Sequence, residues 1–380
     1  MPKDIIKGFV LEAEPHTYVE DLKLLPDIEK ERLLHTGVDV KETNRIGTFM
    51  QLDHSVVHCR SSQEGVELLN IREALEKYAW VREYLGRLLP GDGQDGAEPK
   101  NGYFIRVSPN VKARFPIQAS LYIGHEGLAQ EVRNLVIIEE GASLDVITGC
   151  ATGAHVRRGL HVGITEAYVK KDAQLSFTMI HNWGEEVVVR PRGATLVESG
   201  GVFLSNFVCL SGVKSLVMNP STRLAGEAAV ARYNTILVAP PGTMMDVGSR
   251  VYLSAPGTKA ELIARTITTG GEIINRGHIA GEVPGARGHL ECRGLMLSER
   301  GRVYAIPELD ALVANVELSH EAAVGKVAEE EIEYLMARGL NEEEATATIV
   351  RGFLNVRIEG LPDVLQGEID KAITACQLGM

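Results

Sequence analysis

Cys292 is followed, further along the chain, by the pair His320-Glu321. A thiol, an imidazole and a carboxylate bind soft and borderline metals, and together they suit iron and thiolate chemistry. Cys292 lies in the run His289-Leu290-Glu291-Cys292-Arg293-Gly294-Leu295. As a strand, this run puts Leu290, Cys292 and Gly294 on one face and Glu291 with Arg293 on the other. Two readings of Cys292 stay open. It is a small core hydrophobe, or it is a thiolate ligand whose pKa is lowered by Arg287, His289 and Arg293. His320 is likewise either a buried or capping structural residue or a ligand. Ser319 is placed to N-cap a helix, with Glu321 in its first turn, where the macrodipole favours an acid.

The remaining cysteines are Cys59, Cys150, Cys209 and Cys376, and none of the five forms a C-x-x-C pair. A zinc ribbon or a redox dithiol is therefore not expected. An odd count in a long chain also speaks against a disulfide framework. No G-x-x-x-x-G-K-[ST] occurs, so ATP hydrolysis through a P-loop is not expected. His320-Glu321 lacks the second histidine of H-E-x-x-H. The glycines from Gly281 to Gly288 do not open a helix in a βαβ unit. The triplets Glu329–Glu331 and Glu342–Glu344 read as solvated faces, or as a surface for a basic partner.

These residues must be positioned by a chain of 380 residues that is 44% hydrophobic but only 5% aromatic. Such a length suggests two or three domains, with a core of aliphatic side chains. The net charge of −12 and the lack of a Lys/Arg block make nucleic-acid binding a poor fit, because that affinity comes largely from phosphate neutralisation. No apolar run approaches the roughly 20 residues that span a bilayer. The start, Met1-Pro2-Lys3-Asp4, lacks the apolar stretch of a signal peptide, so a cytoplasmic location is expected.

Residues 1 to about 90 read as mostly helical. Leu22, Leu24, Leu25, Ile28, Leu33 and Leu34 form one amphipathic stretch. Ile71, Ala74, Leu75, Tyr78, Val81, Tyr84, Leu85 and Leu88 form another, which stops at Pro90. A Gly/Asp-rich linker follows. From Tyr103 the period becomes two, and a small turn containing Gly or Asp recurs before short alternating strands, as at Gly141, Asp172, Gly193 and Gly257. The interval reads as roughly 20 residues or a multiple of that, within the range of structural repeats. Many short strands indicate a sandwich, a barrel or a solenoid. The self-similar unit favours a right-handed parallel β-helix, with a sandwich as the alternative. Helix is expected again from about Glu321, with Gly339 as a C-terminal cap, Asn341 and Glu344 as a capping box, and a last helix from about Val364.

Several segments resemble the SufB/SufD scaffold family of the SUF iron–sulfur assembly system. They are Arg114–Ala119, Val136–Ala142, Gly149-Cys150, Asn182-Trp183, Ser319–Ala322 and Glu330–Leu340. The resemblance implies a mainly β fold: a right-handed parallel β-helix (101–318) between an N-terminal helical region (1–100) and a C-terminal helical domain (319–380). It implies a scaffold for an iron–sulfur cluster, [4Fe–4S] or [2Fe–2S], and not an enzyme. ATP hydrolysis is then supplied in trans by a SufC-type ABC ATPase docked on the C-terminal helices. It also implies pairing of two scaffolds through their β-helices, here as a homodimer, together with a sulfur donor and apo-protein acceptors. Cys292 and His320 match the family's cluster ligands, and Glu321 matches an acidic neighbour. The family's sulfur-accepting cysteine counts to Val197 here, which leaves the sulfur-entry route open. The Pro307-Glu308-Leu309 segment is nearer to SufD, and the resemblance implies a compact, generalist SufB-like member; a SufD-like ATPase partner that holds no cluster is the alternative. A β-helix carbohydrate enzyme is a more distant one.

Overall fold

The computed structural model describes residues 3–90 and 98–354. Its body is a parallel β-solenoid of about eight turns, with helices toward both ends. The β-helix expectation therefore holds over the sandwich. Two long sheets form the walls, one of ten strands and one of twelve. From Ile117 onward the strands pair in parallel.

The period is longer than the sequence reading gave. Asn206 is the register partner of Asn234, and Leu262 that of Leu290. Such pairs put one coil at roughly 30 residues, an ordinary solenoid repeat. Asn110, Gly141, Asp172, Gly200, Ala228, Gly257, Gly285 and Asn315 recur once per coil, all with φ between +54° and +81°. This left-handed conformation favours Gly, Asn and Asp. Most of these corners stack on the next through backbone bonds. Gly141 N–H donates to Lys171 O at 2.9 Å, Gly200 N–H to Glu227 O at 2.9 Å and Gly285 N–H to Asn315 O at 2.7 Å. Each coil contains two or three short strands, so counting strand by strand shortened the apparent repeat.

Inside, side chains of the same register stack in columns. Leu144, Leu175, Phe203, Ala231 and Ala260 are successive partners and all are buried in one continuous cluster. Outside, Ile180, Val208 and Ile236 form a second column, covered by Ala347 and Val350 of the helix Glu342–Leu354.

The N-terminal region departs from the helical expectation. It holds the short helices Lys3–Ile6, Asp27–Leu34 and Ile71–Lys77, but also the strands Gly47–Leu52, Ser55–Ser61 and Val66–Asn70. Gly47–Leu52 pairs in parallel with Ile117–Ile123 and is buried at nearly every position. A strand buried on both faces shows no alternation, which hid it. The amphipathic stretch after Asn70 is an α-helix only as far as Lys77, and a 3₁₀ segment, Ala79–Glu83, and turns follow it. Asn70 and Glu73 cap it reciprocally, and Ile71, Ala74 and Leu75 pack on Phe104, Leu135 and Tyr168.

At the other end, the helix expected from Glu321 is instead a strand, Glu317–Lys326, paired along all ten residues with Arg287–Met296. Ser319 is therefore no N-cap, and the solenoid runs past residue 318. Ala322 and Ala323 are good helix formers, but the ladder with the preceding coil overrides them. Helix begins at Glu329 and runs to Met336. Gly339, at φ +100°, ends that turn. Asn341 and Glu344 exchange bonds of 2.8 and 2.9 Å at the start of the next helix, as the capping-box reading requires. The helix expected from Val364 lies outside the described residues. No helix among the described residues is long and apolar enough to cross a membrane.

Candidate functional site

Strand Arg287–Met296 alternates as its sequence implies. Leu290 and Cys292 point into the lumen, 1% and 2% exposed. Glu291 is on the outer face, where Arg265 Nη2 lies 2.8 Å and Arg293 Nε 2.5 Å from its Oε1. The next strand, Glu317–Lys326, sets His320 opposite Leu290, Glu321 opposite Glu291 and Ala322 opposite Cys292. Leu318, in phase with His320, packs on the luminal core. Cys292 and His320 thus share one face of adjacent strands as diagonal neighbours, with Cα atoms about 8 Å apart by strand geometry. Glu321 projects from the opposite face and is exposed. The structure brings Cys292 and His320 together and leaves Glu321 apart from them within one chain.

His320 is half-buried, yet its Nε2 is buried and has no hydrogen-bond partner. An orphaned nitrogen of this kind costs free energy unless something binds it. Cys292 is a free thiol. Burial pushes its pKa up to about 11, and the charge of Glu291 adds to this. The expected lowering by nearby basic residues does not occur. Arg293 is held by Glu291, Arg287 Nε pairs with Glu317 at 3.0 Å, and His289 Nδ1 bonds Ser319 Oγ at 2.8 Å. All of them lie on the outer face.

Glycines narrow the lumen around these ligands. A Cβ at Gly294 would stand 2.7 Å from Val303 Cγ1, and one at Gly277 would stand 2.3 Å from Leu290 Cδ1. Cys292 borders a cavity of about 10 Å³ beside Tyr233, Thr235 and Asn275, room for roughly one water. A larger cavity of about 70 Å³ continues along the lumen past Tyr233 and Thr235 to His161 and Cys150. Cys150, His181 and Cys209 are successive register partners on three strands. His181 is 2% exposed, with both ring nitrogens unpaired. Trp183 lies beside His161 and His181, at ring distances of 5.0 and 5.4 Å. Sequence reasoning missed this column. A repeat of one whole coil would have aligned its members. Val197 lies in the other sheet and is fully buried.

The last coil is open. Among the described residues, strand Arg302–Ala311 has one neighbour in its sheet, as does Glu317–Lys326. Apolar side chains are left exposed there: Tyr304 at 45%, Val324 at 42% and Leu312 at 64%.

A sequence profile described as SUF system FeS cluster assembly, SufBD core domain, matches residues 121–353. An iron-sulfur cluster assembly SufBD family protein of Archaeoglobus fulgidus is 47% identical over 351 residues, 91% of this chain and 94% of that protein. One from Methanothermobacter thermautotrophicus is 41% identical over 99% of this chain and 94% of its own length. One from Pyrococcus horikoshii is 32% identical over 93% and 82%. The matched span contains most of the parallel coils, Cys292, His320 and nearly all of the described C-terminal helices, and on these grounds the chain belongs to the SufBD family of iron–sulfur cluster assembly proteins.

Proposed function

We propose that this protein is a scaffold on which an iron–sulfur cluster, [2Fe–2S] or [4Fe–4S], is built as cargo and then handed to acceptor proteins. The observation that carries this reading is the shared luminal face of Cys292 and His320, with His320 Nε2 buried and unpartnered. A thiol held near 11 stays protonated until a cation approaches. Coordination then expels the proton, since the metal's charge favours the thiolate. Loss of the metal restores the neutral thiol, so binding is reversible by construction. One thiolate and one imidazole per chain grip a cluster less firmly than four thiolates, which suits a product that has to leave.

The reading continues to a homodimer. An open sheet edge invites strand addition. Pro307 interrupts that edge in strand Arg302–Ala311, whereas Glu317–Lys326 contains no proline. Pairing along the latter strand would set two Cys292/His320 pairs near one two-fold axis. Glu321, on the outward face, would then contribute only to a cluster seated between the copies. A SufC-type ABC ATPase is the partner we assign to the C-terminal helices. Helix Glu342–Leu354 is fixed to the solenoid by Ala347 and Val350, while Tyr334 and Met336 of the preceding helix remain exposed. A push on the helices would thus reach the coils carrying Cys292. ATP is hydrolysed in that partner, not here. Sulfur comes from a separate donor. The cytoplasm, whose thiols stay reduced, agrees with the free state of Cys59, Cys150, Cys209 and Cys292.

A second reading, a SufD-like ATPase partner that holds no cluster, draws on Glu321 facing away and on the protonated thiol. Anaerobic reconstitution with iron and sulfide separates the two. Wild type should develop the charge-transfer bands of an iron–sulfur cluster, and Cys292→Ala and His320→Ala should each lose most of them. Equal cluster content in all three would remove the assignment.

A further inference from the structure

A second set of ligating side chains converges at the N-terminal end of the solenoid. His16 belongs to the extended segment that precedes the first coils, and Asp53 to the turn between Gly47–Leu52 and Ser55–Ser61. His125 follows strand Ile117–Ile123. That strand is six strands from Cys292 along the sheet, about 29 Å at 4.8 Å per strand.

His16 Nε2 lies 2.8 Å from Asp53 Oδ2, and His125 Nδ1 reaches the same oxygen. The three ligand atoms all fall within 4.8 Å of one another. The imidazole rings stand 5.5 Å apart between centroids, tilted by 46°. Asp53 is fully buried. Its other oxygen, Oδ1, accepts from the backbone N–H groups of Gly124 at 2.7 Å and His125 at 3.3 Å. One carboxylate oxygen is thus spent on orienting the group, and the other is turned toward two imidazoles. The backbone N–H of His16 donates to Ser55 Oγ at 3.0 Å, which holds that segment in place. Supporting bonds of this kind orient metal ligands.

We propose that His16, Asp53 and His125 bind one divalent first-row transition metal. Two imidazoles and one carboxylate select such ions over Mg²⁺ or Ca²⁺. A closed structural zinc site has four protein ligands. Here there are three, and the His125 side chain is 48% exposed. The ion therefore keeps an open coordination position toward solvent and can exchange. It also ties the N-terminal segment to the first rungs, so its binding should raise thermal stability.

The test uses full-length protein carrying Cys292→Ala and His320→Ala, so that the proposed cluster pair cannot contribute. Anaerobic titration with Co²⁺ should show one equivalent with visible d–d absorption and a rise in Tm. Zn²⁺ should displace it, Fe²⁺ should do so only in excess, and Mg²⁺ should not. Adding His125→Ala should weaken Co²⁺ binding at least tenfold. So should Asp53→Asn, which keeps the acceptor needed by Gly124 and His125. Absence of binding in the parent, or equal binding in the His125→Ala protein, would overturn the proposal and leave the cluster as a hydrogen-bonded His–Asp–His arrangement.

Discussion

Mild acid should weaken the solenoid through two histidines in its lumen. His161 and His181 are each 2% exposed. Burial pushes the His161 imidazole down to about 3, and it holds His181 well below its ordinary value, with His161 as a second cause. In the unfolded chain both titrate near 6.5. A base whose folded pKa is depressed contributes stability that is whole above its unfolded pKa. That stability is lost as pH falls through 6.5 toward the folded value. At pH 5 the unfolded chain gains about 1.5 units of protonation advantage at His161, or about 2 kcal/mol, and His181 acts in the same direction. The His161 contribution alone is a sizeable part of the 5–15 kcal/mol typical of a domain. His161 keeps one bond, Nδ1 to Gln130 Oε1 at 2.9 Å, while both nitrogens of His181 are unpaired. The informative variant is therefore His161→Gln with His181→Leu. Urea unfolding followed by circular dichroism at pH 8 and pH 5 should show a smaller acid penalty in the variant than in wild type, by at least about 2 kcal/mol. Identical penalties in the two proteins would refute the reasoning.

The corner residues predict opposite signs for opposite substitutions. Gly200→Ala forces a side chain to φ +66° and sets its Cβ 2.2 Å from Asp172 Oδ1, so thermal unfolding should show a loss of about 1 kcal/mol. Ala228→Gly relieves φ +57° and should gain up to about 1 kcal/mol, less the entropy that glycine adds to the unfolded chain. Alkylation of Cys292, followed by peptide mass spectrometry, should keep accelerating about tenfold per pH unit through pH 9 to 10, because its thiol sits near 11. A plateau below pH 9 would contradict that, and Glu291→Gln should lower the midpoint by less than half of the shift. Val350→Asp places a carboxylate against Ile180, Val208 and Ile236. Limited proteolysis between residues 329 and 354 should speed up at least about tenfold, equivalent to about 1.4 kcal/mol of docking, while the β-sheet signal is retained.

Much of the fold was legible because the solenoid is periodic. Gly and Asp corners and alternating strands are local signals, and each coil repeats them. What escaped was set by neighbouring coils. Gly47–Leu52 is buried on both faces and shows no alternation. Glu317–Lys326 carries helix formers, yet all its residues pair with the previous coil. The alternation around Cys292 was readable, and so was its shared face with Leu290. The charge environment was not, because the arginines that flank Cys292 in sequence leave on the other side of the sheet. His16, Asp53 and His125 follow no spacing rule and meet only because the first rungs fold back on the N-terminal segment. The Cys150–His181–Cys209 column needed the right period, and the shorter interval obtained by counting strands could not reveal it.

The stacked left-handed corners make the molecule's length a whole-number quantity. Each coil touches only the ones above and below, and each advances the axis by about 4.8 Å. Excising the stretch between equivalent corners, such as Gly200 and Ala228, would restore the same hydrogen-bonding frame one rung shorter. The shaft would therefore lengthen or shorten in discrete steps without redesign of either extremity. The span separating what happens near His16 from what happens near Cys292 is set by the number of rungs and not by any loop.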